Sequence, residues 1–240
     1  MGDNAANAVF PPTHWSVVIN AREADAPRAA QALESLARAY WRPLYVFARR
    51  RGLTHEEGAD AIQGFFAHLL ARDFLRAVRP GEGRFRTFLL ACLKNWLADD
   101  RARERASKRG GGREFLSLEQ LEEARDAGVE GTSPPEESFD RDWALNIVGR
   151  ALSRLGADWA EKGRGELFSA LRGALEGEAA AQTHAEIGAR LGMTPNAVKC
   201  AALDLRRRYA QLVRAEIQLT VRVASEVEDE LRYLIRQLRA

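Results

Sequence analysis

The sequence predicts an all-α protein: two helical domains joined by an acidic flexible linker and followed by a C-terminal amphipathic helix. Three observations carry this. The 240 residues are rich in Ala, Leu, Arg and Glu, with 46% hydrophobic and 29% charged residues and few runs of Val, Ile and Thr, which favours helices over strands. Apolar residues recur at helical spacing in segments separated by Gly, Pro and Asp. Between two such groups, residues 114–140 carry Glu114, Glu119, Glu122, Glu123, Asp126, Glu130, Glu136, Glu137 and Asp140 against one base, Arg125. A chain of this length can bury two cores without covalent staples.

The first domain is expected over residues 10–113. Thr13 caps a short helix to Asn20, and beyond Asp25 and Pro27 a longer helix places Tyr40, Leu44 and Phe47 on one face until Gly52 ends it. Thr54 and Glu57 have capping-box spacing and open a helix whose apolar face is Ile62, Phe66 and Leu69. Turn residues Pro80, Gly81 and Gly83 precede a third helix from Phe85 to about Arg105, with Phe85, Phe88, Leu89, Cys92 and Trp96 inward and Leu90, Leu93 and Leu97 outward. The acidic segment 114–140 contains Pro134-Pro135 and reads as linker. Its plain role is solubility; a sharper one is competition with DNA for basic surfaces.

The second domain is expected over 141–217. Trp143, Ile147, Val148, Leu152 and Leu155 mark one helix and Leu167, Phe168, Leu171 and Leu175 another. Then follow a short helix from His184 to Leu191, a turn at Gly192-Met193, and a helix from Pro195 to about Ile217. Residues 218–240 hold a capping-box pattern at Ser225 and Glu228 and a stripe of Val227, Leu231, Leu234 and Leu238, expected to dock on a partner.

Several function classes find no footing. Cys92 and Cys200 are too few for a disulfide framework or a metal knuckle, and His14, His55, His68 and His184 lie in four separate segments without an HExxH pair. No Gly-rich phosphate loop or nucleophile elbow occurs, so no cofactor, metal or catalytic residue is expected. Neither a signal peptide nor a span of roughly 20 apolar residues is present, which leads to the expectation of a cytoplasmic protein without membrane attachment.

The net charge of +2 conceals uneven placement, and local patches decide nucleic-acid binding. In the segment His184–Lys199, Gly192 at a helix end, Thr194 as cap and Pro195 at the first helical position describe a helix-turn-helix. At 3.6 residues per turn, Val198, Ala202, Leu205, Tyr209 and Leu212 face inward, while Asn196, Lys199, Cys200, Leu203, Arg206 and Arg207 face outward. Short polar groups near the amino end for base edges, then guanidiniums for phosphates, are what a recognition helix needs. A solvated helix would also expose Lys and Arg, but it does not require this turn chemistry. On the helix from Phe85, Lys94, Arg101, Arg105 and Lys108 fall in one stripe beside Asn95. That stripe is either a solvated face or a surface for single-stranded nucleic acid.

Four segments occur in an order that resembles a known family: Tyr40-Trp-Arg-Pro-Leu-Tyr45, Asp60-Ala-Ile-Gln-Gly-Phe-Phe-Ala-His-Leu-Leu70, Gly83-Arg-Phe-Arg-Thr-Phe-Leu-Leu-Ala-Cys-Leu-Lys-Asn95, and the helix-turn-helix. The chain resembles RNA polymerase sigma factors of the extracytoplasmic-function type, from about Thr13 to Ile217. The resemblance implies that Asp60 and Gln63, with Gly64 where the family has Glu, contact the β′ coiled-coil of polymerase core. It implies that Asn95 helps hold a flipped base of the melted downstream promoter element, selected by the loop from about Asp73 to Arg84, and that Lys199, Cys200, Leu203 and Arg206 read the upstream element as duplex. An anti-sigma factor, or self-inhibition by the linker or the C-terminal extension, fits the same family. Gly64, Ala201 and Asp204 depart from its pattern. Ala201 and Asp204 imply a promoter read that differs from the family's best-known ones, and Gly64 leaves open an alternative, a sigma-derived helix-turn-helix regulator that binds DNA without engaging polymerase core.

Overall fold

The computed structural model describes residues 26–70, 84–106, 133–176, 182–221 and 224–239. Those residues form eight α-helices and no strand: α1 (Ala26–Arg50), α2 (His55–Leu70), α3 (Phe85–Ala106), α4 (Pro135–Glu161), α5 (Gly165–Glu176), α6 (His184–Leu191), α7 (Pro195–Thr220) and α8 (Val227–Arg239), the last preceded by a 3-10 turn. The protein is therefore all-α over its described residues. Among them no helix is long and apolar enough to cross a membrane. The expected helix at Thr13–Asn20, the loop after Asp73, Lys108 and most of the acidic run lie outside the described residues.

Two compact units emerge, one from Met1–Asn146 with Gln218–Ala240, the other from Ile147–Ile217, and the boundaries fall inside α4 and α7. This division differs from the expected one at two places. Residues 135–140, read as linker, are the first turns of α4. The cause is at its amino end: Pro134 accepts the Ser138 N–H at 3.0 Å, Pro135 occupies the first helical position, where no N–H is needed, and Glu136 and Glu137 complement the helix dipole. The C-terminal helix, expected to await a partner, belongs to the first unit.

In that unit α1 and α2 form the main antiparallel contact around Tyr40, Leu44, Tyr45, Phe47, Ile62, Phe65 and Phe66, all buried. Gly52 makes the turn between them at φ 90°, a left-handed conformation that suits glycine. Thr54 then caps α2 reciprocally: its N–H donates to Glu57 Oε2 at 2.8 Å, and the Glu57 N–H donates to Thr54 Oγ1 at 3.3 Å. Phe85, Leu89, Leu93 and Leu97 of α3, Phe139 and Trp143 of α4, and Leu234 of α8 are buried in the same unit. Leu93 and Leu97 thus correct the outward assignment, and Leu90 is half-buried. The buried arc of α3 is wider than one stripe because it has neighbours on two sides, α2 through the His68–Trp96 stack and α4 and α8 through Lys94 and Arg86.

The second unit is built on Ile147, Leu155 and Trp159 of α4, Leu171 of α5, Ile187 of α6 and Val198, Leu205 and Leu212 of α7. A buried carboxylate ties two of these helices. Glu216 of α7 accepts Arg150 Nε at 3.0 Å and Arg154 Nη1 at 2.7 Å, two α4 residues one turn apart. The Tyr209 hydroxyl donates to the Val148 carbonyl at 3.2 Å beside them.

Candidate nucleic-acid interface

In the second unit the turn between α6 and α7 is specified atom by atom. Thr183 caps α6: its hydroxyl accepts the Glu186 N–H at 3.3 Å, and its own N–H donates to Glu186 Oε2 at 2.7 Å. That backbone bond, with the Thr183 hydroxyl, holds the Glu186 carboxyl below the usual range. Gly192 closes α6 at φ 65°, and the Met193 N–H donates to the Gly188 carbonyl at 2.9 Å. The chain then passes so near α6 that a Cβ on Gly188 would lie 2.6 Å from the Met193 carbonyl oxygen. Thr194 starts the next helix, its hydroxyl accepting the Ala197 N–H at 3.2 Å and its carbonyl the Val198 N–H at 3.1 Å.

This turn delivers α7 with Val198, Ala202, Leu205 and Leu212 buried and Asn196, Lys199, Cys200, Leu203, Arg206 and Arg207 exposed, as the helical wheel predicts. Tyr209 is half-buried and tethered to Val148. Leu203 stands 53% exposed, more than any other large apolar side chain among the described residues. Asp204 lines a groove with Ala201, Cys200, Met193, Arg164 and Glu166, and Leu203 is not among its lining residues. Arg208 is occupied by Asp158 at 3.2 Å. Gly188 is the residue that sequence reading missed. Its signal was the four-residue spacing to Gly192 within a short helix.

In the first unit, Asp60 is exposed on α2 and Gln63 and Gly64 are half-buried on the same face. Gly64 admits the neighbouring helix: a Cβ there would sit 3.3 Å from Trp96 Cζ2, and the His68 ring, one turn on, stacks on the Trp96 indole at 4.9 Å and 28°. Asn95 beside that tryptophan is exposed. Lys94 does not extend freely: its Nζ lies 2.7 Å from Glu136 Oε1 and 5.8 Å from the centre of the Phe47 ring. Arg101 and Arg105 belong to α3, but their side chains lie outside the described residues.

Sequence reading also missed a buried polar cluster around Arg86. Its Nε donates to Glu230 Oε1 at 2.7 Å and its Nη1 to Asp140 Oδ1 at 2.7 Å, while its guanidinium lies 3.8 Å over the Tyr233 ring. The Tyr233 hydroxyl donates to the other Asp140 oxygen at 2.7 Å. Burial works against the Arg86 charge, but Glu230 and Asp140 outweigh it and hold the guanidinium above its ordinary range. Burial likewise raises the Tyr40 hydroxyl, which bonds the Thr220 side chain, and pushes the Cys92 thiol up to about 11, so that thiol is no nucleophile at neutral pH.

Comparison with known proteins returned no matching family model, curated protein or solved structure.

Proposed function

We propose that the chain is a transcription initiation factor of the sigma type, which binds RNA polymerase core and directs it to promoters, reading the upstream element as duplex and the downstream element as melted DNA. The observation that carries the proposal is the α6-turn-α7 geometry. A glycine-enforced close turn and two threonine caps present Asn196, Lys199, Leu203, Arg206 and Arg207 on one exposed helix face. That is the apparatus of major-groove recognition. On this reading Asp60, Gln63 and Gly64 meet the β′ coiled-coil, Asn95 takes a flipped base, the factor works in the cytoplasm, and it catalyses nothing itself.

The test is in-vitro transcription with polymerase core on a promoter library. Promoter-specific transcripts that depend on the protein support the proposal. Binding to duplex DNA without copurification of core or stimulated transcription would favour the alternative, a helix-turn-helix regulator independent of polymerase. Gly64 gives that alternative its footing, since the family's acidic side chain is replaced by space that Trp96 uses. Gly64→Glu restores the charge and should raise affinity for core, whereas Gly64→Ala makes the same steric demand on Trp96 without the charge and should not. Equal effects from both would remove Gly64 from the polymerase contact.

A further inference from the structure

The basic groups at the start of α3 are already claimed by carboxylates from elsewhere in the first unit. Glu230 of α8 accepts Arg86 Nε through one oxygen at 2.7 Å, and its other oxygen lies 2.9 Å from Arg84 Nε as an ion pair without a hydrogen bond. Asp140 of α4 takes the second arm of Arg86, and Glu136, one turn earlier, takes Lys94 at 2.7 Å. Arg86 and Glu230 are almost wholly shielded, with side-chain exposures of 8% and 3%. Lys94 and Glu136 remain at the surface, where Lys94 holds the Glu136 carboxyl below its usual range by a direct hydrogen bond. Meanwhile the stripe of Thr87, Ala91 and Asn95 on the same helix is exposed.

We propose that Glu136, Asp140 and Glu230 form a built-in competitor for nucleic acid: they occupy donor atoms of Arg86 and Lys94 that phosphates would take and ion-pair with Arg84, so strand binding at this end of α3 requires their displacement. A guanidinium presents the same fork of donors to a carboxylate and to a phosphate, and each donor serves one partner at a time. The cover has two grades. The Glu136–Lys94 pair is a solvent-screened contact that opens readily. By contrast, the Arg86 cluster is buried and aromatic-backed, so leaving either charge unpaired is costly and its opening requires α8 to move. The proposal rests on the reading of α3 as the helix that meets melted DNA.

The experiment uses the full chain and a dye-labelled single-stranded oligodeoxynucleotide, followed by anisotropy as salt is varied. Glu136→Gln should tighten binding by about threefold to tenfold and steepen the dependence of log affinity on log salt by about 0.7, the increment for one more phosphate contact on a single strand. Glu137→Gln removes the same charge one residue away at an exposed position and should change affinity by less than about twofold. In a Lys94→Gln background the gain from Glu136→Gln should vanish. Glu230→Gln, with helicity checked by circular dichroism, should add a larger gain through Arg84 and Arg86; if it unfolds, the Glu136 and Lys94 cycle decides alone. Equal gains from Glu136→Gln and Glu137→Gln, or no gain from Glu136→Gln, would overturn the cover. Promoter-directed transcription without that gain removes the cover and leaves the sigma reading standing. The gain without any transcription by polymerase core does the reverse.

Discussion

Gly188 and Asp142 are both placed against their ordinary preferences, and each placement has a measurable consequence. A methyl group on Gly188 would meet a backbone oxygen at 2.6 Å, and neither α6 nor the capped turn can yield without losing the bonds from Met193 to Gly188 and from Ala197 to Thr194. Gly188→Ala should therefore destabilise the protein by about 1–3 kcal/mol, the usual range for forced overpacking, and abolish duplex binding. A denaturation midpoint equal to the parent's would show that the turn relaxes freely. Asp142 of α4 is a buried carboxylate, and burial raises it from 3.8 to about 6, with Arg42 at 3.5 Å pulling down only in part. Because the folded value exceeds the unfolded one, the folded state holds an extra proton between roughly pH 4 and 6. Stability from this group is thus greatest in acid and declines as pH rises through about 6, by up to about 3 kcal/mol at 1.36 kcal/mol per unit. Asp142→Asn should remove that slope and raise the urea midpoint at pH 7.5. If the difference between variant and parent is flat from pH 4 to 7.5, Asp142 is ionised throughout.

At the scale of elements, what was legible in sequence is what depends on neighbours within one or two turns. The caps at Thr54 and Thr194, the stop at Gly52, and the inward set of α7 follow from spacing, and the structure has them, with Tyr209 of that set half-buried. The start of α4 is equally local, but Pro134-Pro135 reads as a breaker unless the following Glu136 and Glu137 count as first-turn residues. What was not legible depends on distant partners. In α8 periodicity gives an apolar docking stripe that includes Leu238 and leaves out Glu230, yet Leu238 is 39% exposed and Glu230 is buried. The reason is Arg86, 144 residues away, which no window along the chain can contain. Leu93 and Leu97 likewise read as outward along the chain and are buried. Caps offer the cleanest test at this scale: Thr183→Ala removes the hydroxyl that accepts the Glu186 N–H and donates to its carboxylate, leaves the backbone half of the box in place, and should cost about 0.5–2 kcal/mol in stability. No loss would mean that packing of Ile187 alone sets the start of that helix.

Over the whole molecule the +2 net charge divides into bases that are covered and bases that are not. In the first unit Arg84, Arg86 and Lys94 are paired, whereas in the second unit Lys199, Arg206 and Arg207 are exposed and form no ion pair among the described residues. Three free cations on one helix face imply that duplex affinity falls with salt at about 0.9 in log–log slope per phosphate neutralised, and Arg207→Gln should lower that slope by about one such increment. A slope that does not respond would remove Arg207 from the interface. Specificity needs a different group, and Leu203 is the candidate, because an apolar side chain 53% exposed between Lys199 and Arg206 has no partner in water and a natural one in a thymine methyl. Leu203→Ala should weaken binding to the preferred promoter by about 1 kcal/mol or more, about fivefold, and leave scrambled duplex unchanged, since base contacts carry sequence information and phosphate contacts do not. Asp204 supplies the counter-test. It lines the groove beside α5 rather than standing with Leu203, so Asp204→Ala should raise affinity for preferred and scrambled duplex alike by removing a repelling charge. Both variants are compared at one salt concentration on the two duplexes. If Leu203→Ala lowers the two affinities by the same factor, or Asp204→Ala erodes only the preferred one, the helix meets DNA in a register rotated from Leu203 toward Asp204.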